Sequence, residues 1–213
     1  MKIRSILAAT AALVLLGGAA HAAGTPALTI DDLNGQQLGN GPFTLGFEFQ
    51  ANANTKVVQL GAFDDAQDGL GQSHDVGLWD SLGNLLASTT IGSGTSGALI
   101  NQFRYNDITP VSLTAGQDYF IGAVWLDGTD PMVFGATNLA TDPRITYLSS
   151  GYAAGGSLVD PTSLDGGFGG YFGPNLTLTS VPEPATWAFT ILGFGMVGAA
   201  VRRRSVGAVA ATA

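Results

Sequence analysis

The 213-residue chain contains no cysteine. Disulfides, thiol catalysis, thiolate-held zinc and iron–sulfur clusters are excluded, so stability must come from a packed core. Histidine is almost as scarce. Of two in the chain, His21 sits in the N-terminal apolar region and only His74 is left for the body. A Ser–His–Asp triad would have to use His74, with Ser73 and Asp75 beside it. Adjacent strand residues point to opposite faces, so these neighbours cannot converge. No G-x-S-x-G elbow is present either. Positive charge is the third shortage. Between residues 23 and 181, Lys56, Arg104 and Arg144 stand against 14 Asp and one Glu, a net charge of −12. So acidic a body repels nucleic acid and anionic membrane surfaces. Finally, no part of the body sustains an amphipathic helical period over about eleven residues.

Short strand patterns are what the body does contain. Phe43 to Phe49 alternates strictly, with Phe43, Leu45, Phe47 and Phe49 on one face and Thr44 and Glu48 on the other, which predicts a half-buried strand. Further strands are expected at Thr55 to Phe63, His74 to Trp79, Leu85 to Ile91, Phe103 to Tyr105, Asp118 to Leu126, Met132 to Phe134, Arg144 to Tyr147 and Asn175 to Thr179. Ile108 to Leu113 contains Pro110 and fits an edge strand or a strand end. Asp130-Pro131, Asp142-Pro143 and Asp160-Pro161 are turn openers, because proline presets φ and the carboxylate caps nearby amides. Gly151 to Gly170 is glycine-rich and reads as a long loop or surface flap. This pattern predicts an all-β fold, an antiparallel β-sandwich of jelly-roll type spanning 23–180.

The ends of the chain are of a different kind. Lys2 and Arg4, then apolar Ile6 to Leu16, then Ala20-His21-Ala22 follow the order of a secretory signal peptide, here 1–22, entering as a helix and removed by signal peptidase. Near the other end, Ala185 to Val201 is a 17-residue stretch without charge. That is the lower limit for a transmembrane helix, which needs roughly 17–25 residues. Arg202, Arg203 and Arg204 follow and favour a cytoplasmic end, which leaves the body outside. Pro182-Glu183-Pro184 precedes the apolar stretch as a stiff, extended spacer suited to a processing enzyme's cleft.

Pro182-Glu183-Pro184, Trp187-Ala188, Gly193-Phe194-Gly195 and the arginine cluster together resemble the PEP-CTERM sorting signal in its PEP-x-x-W-A form, across 181–204. A short tail, 205–213, comes after it. The resemblance implies a Gram-negative bacterium that makes extracellular polysaccharide. It also implies recognition by a membrane-embedded exosortase that cleaves near the motif. The expected course is an inner-membrane-anchored precursor, then a cell-surface or extracellular-matrix product. A second resemblance covers Thr55 to Trp125. The run "DGLGQSHDVGLW", then "GNLLAS", then "LTAGQDYFIG", is similar to a β-sandwich module of secreted bacterial proteins with no assigned activity.

Three groups of residues are candidates for function. Asp64, Asp65 and Asp68 crowd one inter-strand loop, and oxygen-rich loops of this kind can hold Ca²⁺. The alternative is a polar hairpin whose carboxylates cap its own amides, and the spacing is not that of an EF-hand. Among aromatics that could stack on sugars, Trp79 and Trp125 lie within strand runs and read as core, whereas Tyr152 and Tyr171 read as loop residues and better glycan-stacking candidates. The functional expectation is a non-enzymatic structural or glycan-associated matrix component. The alternative is a secreted polysaccharide hydrolase that uses aspartates as acid and base.

Overall fold

The computed structural model describes residues 24–30, 36–39, 41–136, 139–165, 170–181 and 191–196. The expected signal helix lies outside them. So does most of the expected transmembrane segment, including Pro182, Glu183, Pro184, Trp187, Ala188 and Arg202 to Arg204. Its described part, 191–196, is helical, with Ile191, Leu192, Phe194 and Met196 exposed. Among the described residues no helix is long and apolar enough to cross a membrane.

Strands are numbered in chain order. One sheet has five, in the order β1 (Thr25–Pro26), β16 (Pro174–Ser180), β5 (Thr55–Phe63), β9 (Phe103–Leu113) and β8 (Ala98–Ile100). The other has six: β14 (Ser163–Asp165), β13 (Ile145–Ala154), β4 (Phe43–Ala51), β10 (Asp118–Trp125), β6 (His74–Asp80) and β7 (Leu85–Ile91). Two small sheets complete the set, β15 (Tyr171–Phe172) with β11 (Met132–Phe134) and β3 (Gln36–Leu38), and β12 (Leu139–Thr141) with β2 (Leu28–Ile30). Every pairing described is antiparallel.

The alternating residues meet between the two large sheets. Leu45, Phe47 and Phe49 of β4, Ile121, Ala123 and Trp125 of β10, and Val76 and Leu78 of β6 share one core with Val57, Leu60, Phe63, Phe103, Leu176 and Leu178. Phe47 packs against Phe49, Tyr147 and Phe172 with ring centroids 6.1, 6.0 and 6.1 Å away. Each fully buried side chain of this size contributes about 1.5–3 kcal/mol over an exposed one.

Two expected strands, Phe103 to Tyr105 and Ile108 to Leu113, are one continuous β9. Between the pairs Val57–Val111 and Gln59–Asp107 the register shifts. Pro110 falls in that bulge, where no regular ladder amide is required. The expected loop from Gly151 is also corrected. Gly151 to Ala154 complete β13, and β14 pairs back onto it. The segment between them is tied down over the outer face of the sheet. Thr44 Oγ1 donates to the Ser157 carbonyl at 3.1 Å and accepts from the Val159 amide at 3.3 Å. What admits that strap is a row of four glycines in register, Gly151, Gly46, Gly122 and Gly77. Pro161 lies over Gly122 and Gly151, and the Trp79 ring lies over Gly77.

Candidate functional site

Tyr152 and Tyr171 belong to strands, not to loops as expected, because backbone pairing reaches further than the side-chain alternation reveals. Tyr152 stands opposite Leu45 of β4 and Tyr171 opposite Phe134 of β11. The fold brings the two rings into edge-to-face contact, centroids 6.5 Å apart at 81°. Phe43 meets Tyr152 edge-on at 6.4 Å, and Phe134 lies against Tyr171 at 5.6 Å. Phe43, Leu45, Tyr152 and Tyr171 line a groove of about 120 Å³. Tyr152 is 38% exposed there. The Tyr171 hydroxyl donates to Asp165 Oδ2 at 3.3 Å. Burial first, and the Asp165 charge second, push the Tyr171 phenol upward, so it remains a donor at neutral pH. An exposed ring face and a hydroxyl in one groove, with a carboxylate bonded to that hydroxyl, suit a ligand with both CH faces and hydroxyls. Trp79 and Trp125, by contrast, are buried in packing roles, at 4% and 0% exposure.

The aspartates of the β5–β6 loop are not gathered into a ligand set. Asp64 is turned inward, where its Oδ2 accepts from Arg104 Nε at 2.6 Å and its Oδ1 from the Gly69 amide at 3.1 Å. Asp65 starts a short 3-10 turn, Asp65–Gln67, and Asp68 follows it on the surface. Among the described residues, no three of His, Asp and Glu are grouped so as to hold a metal ion.

The same loop is fastened at its far end by Asp130, expected as a turn opener. Asp130 accepts the Gly71 amide at 2.7 Å and the Gln72 amide at 2.9 Å, and faces His74 Nε2 at 2.9 Å. His74 Nδ1 meets the Val124 carbonyl at 2.8 Å, and the ring lies 4.6 Å from Trp125. A carbonyl only accepts, so Nδ1 carries a proton. The "DGLGQSH" run is therefore a clamp. His74 is a fully buried, hydrogen-bonded strand residue. Other carboxylates cap turns as expected: Asp80 accepts the Leu82 and Asn84 amides, Asp127 that of Thr129, and Asp142 that of Arg144.

No curated protein and no solved structure matches the chain. Two family matches do. Residues 180–204 match the PEP-CTERM protein-sorting motif, which makes the chain an exosortase-targeted exported protein of Gram-negative type. Residues 32–164 match a domain of unknown function, and they hold the clamp, the buried ion pair and most of both large sheets. The chain therefore belongs to the family described as Domain of unknown function (DUF4082), followed by a C-terminal PEP-CTERM sorting motif.

Proposed function

We propose that the exported body is a non-enzymatic, glycan-associated component of the cell surface and exopolysaccharide matrix, and that the tyrosine groove is where it meets polysaccharide. The carrying observation is that Tyr152 and Tyr171 share one groove with Phe43 and Leu45, with Asp165 bonded at its side. Aromatic rings offer apolar faces to sugar CH groups, while hydroxyl and carboxylate bond the ring hydroxyls. The turn-capping roles of Asp80, Asp127 and Asp142 and the pairing of Asp64 support this reading over hydrolysis, because those carboxylates already have partners.

Affinity electrophoresis through gels containing the producing cell's own polysaccharide tests the reading. Retardation of the mature protein is expected. Tyr152→Ala should weaken binding by about tenfold, or about 1.4 kcal/mol, and adding Tyr171→Ala should abolish it. Equal retardation of wild type and double variant would overturn the groove assignment. Release of new reducing ends from the same polysaccharide would establish the hydrolase instead.

Processing has its own test. The precursor is anchored in the inner membrane by its C-terminal segment, and exosortase cleaves it near the motif. Mass spectrometry of the protein from its native host should find a mature chain that ends near Pro182 to Pro184. A mature chain that still carries Arg202 to Arg204 contradicts this.

A further inference from the structure

A second cavity, of about 400 Å³, is lined by Thr29, Ile30, Gln67, Leu99, Asn101 and Gln102, and shares no residue with the tyrosine groove. One wall is the 3-10 turn after β5, and the facing wall is the tight turn between β8 and β9. Their backbones are joined. The Asp64 amide donates to the Gln102 carbonyl at 2.8 Å, and Arg104 Nη2 donates to the Gln67 carbonyl at 3.3 Å. The buried Asp64–Arg104 pair thus ties both walls together.

Two features set this cleft apart. First, the non-glycine residues with positive φ among the described residues are Ala66 at 61°, Gln67 at 62° and Asn101 at 55°. All three lie on these walls or beside them. Glutamine and alanine are uncommon in the left-handed region, and strained backbone persists where surrounding structure enforces it, often at ligand sites. Glycine would relieve the strain, and the chain uses 31 of them. At 67 and 101 it instead carries residues with amide side chains, and both line the cavity. Second, Gln102 Oε1 is buried without a hydrogen-bond partner. Buried polar atoms are ordinarily paired, so this residue of the cavity lining has an acceptor still to be satisfied.

We infer that this cleft binds one neutral, hydroxyl-rich unit, a single pyranose-sized ring. Among the described residues, no lining side chain is ionisable. Three amides and a threonine present donors and acceptors side by side, the pattern that vicinal hydroxyls match. Leu99 and Ile30 supply the apolar contact for a ring's CH edge. The net charge of −12 over residues 23–181 disfavours anions. The nearest buried carboxylate, Asp64, is spent on Arg104 and does not recruit a cation. A peptide would need a strand edge to pair with, and β8 offers only three residues.

Amide-resolved NMR of the mature protein, titrated separately with glucose, galactose, mannose, N-acetylglucosamine and triglycine, tests the inference. At least one sugar should shift the signals of Gln67, Asn101 and Gln102 saturably, in wild type and equally in the Tyr152→Ala/Tyr171→Ala variant. Failure of the tyrosine groove is thereby separable from failure here. Gln67→Gly combined with Asn101→Gly removes two amides while easing the backbone. It should weaken binding at least tenfold with melting temperature unchanged or raised. If its melting temperature falls, Gln102→Ala alone is read in its place, with the same loss expected. Binding unchanged in the variant so read, shifts caused by triglycine and not by sugars, or no saturable shift at all would each overturn the site.

Discussion

Alanine at position 64 is expected to lower the folding free energy by about 3–5 kcal/mol, the cost of stranding a buried charge. The Asp64 side chain is 1% exposed and that of Arg104 5%. Removing the carboxylate leaves the guanidinium in the interior with no counter-charge, and frees the Gly69 amide as well. Against a total stability of about 5–15 kcal/mol, that is a large fraction. Equilibrium urea unfolding of the mature protein measures it. Replacing both partners by apolar residues of similar volume, Asp64→Leu with Arg104→Met, should recover most of the loss, because neither charge then has to be desolvated. A loss under about 1 kcal/mol for Asp64→Ala would place the pair in water.

Gly46→Ala should be nearly as damaging, at about 3 kcal/mol or complete failure to fold, the upper range for overpacking a well-packed site. A Cβ there runs into the Ile121 carbonyl oxygen and comes within 2.7 Å of the Gly122 Cα. Both are backbone atoms of the neighbouring central strand, and they cannot turn aside as a flexible side chain could. Yielding would part β4 from β10 at their glycine pair, in the middle of the six-stranded sheet. Gly116→Ala is the control for general glycine sensitivity. It lies in the turn before β10 with nothing within 4 Å of a built Cβ, so its cost is that of its φ of 81° alone. Comparable unfolding midpoints for Gly46→Ala and Gly116→Ala would show that the glycine row is not held by close backbone approach.

The long strands were legible in the chain. Thr55 to Phe63, Leu85 to Ile91 and Met132 to Phe134 were expected with the bounds observed, since turn residues punctuate clear apolar patterns on both sides. Of the strands of two or three residues, β11 stood out between Pro131 and Gly135, but β1, β8 and β14 were not legible, because too few positions exist to show a period. Expectation ended β13 at Tyr147, while the strand runs on to Ala154. The register shift between Tyr147 and Ser149 breaks the alternation there. Of the candidate site residues, Tyr152 and Tyr171 were visible as aromatics in a polar, glycine-rich context. Gln67, Asn101 and Gln102 were not, because an amide in a turn is ordinary until the cavity beside it is seen. The family match stops at residue 164. Yet β16, beyond it, sits between β1 and β5 in the five-stranded sheet, so the fold reaches past the matched region.

Local chemistry in the chain was enough to determine that this protein is exported by way of a sorting motif and that its body is built of antiparallel strands. Terminal charge, apolar length and side-chain alternation all act between near neighbours. Partnership was decided only by the tertiary structure. Asp64 and Arg104 lie 40 residues apart, and His74 and Asp130 lie 56 apart. An acidic chain offers each cation many carboxylates at similar sequence distances. Which one it takes, and whether the rest cap turns, close a clamp or border a groove, depends on how the two sheets stack and where water is excluded between them.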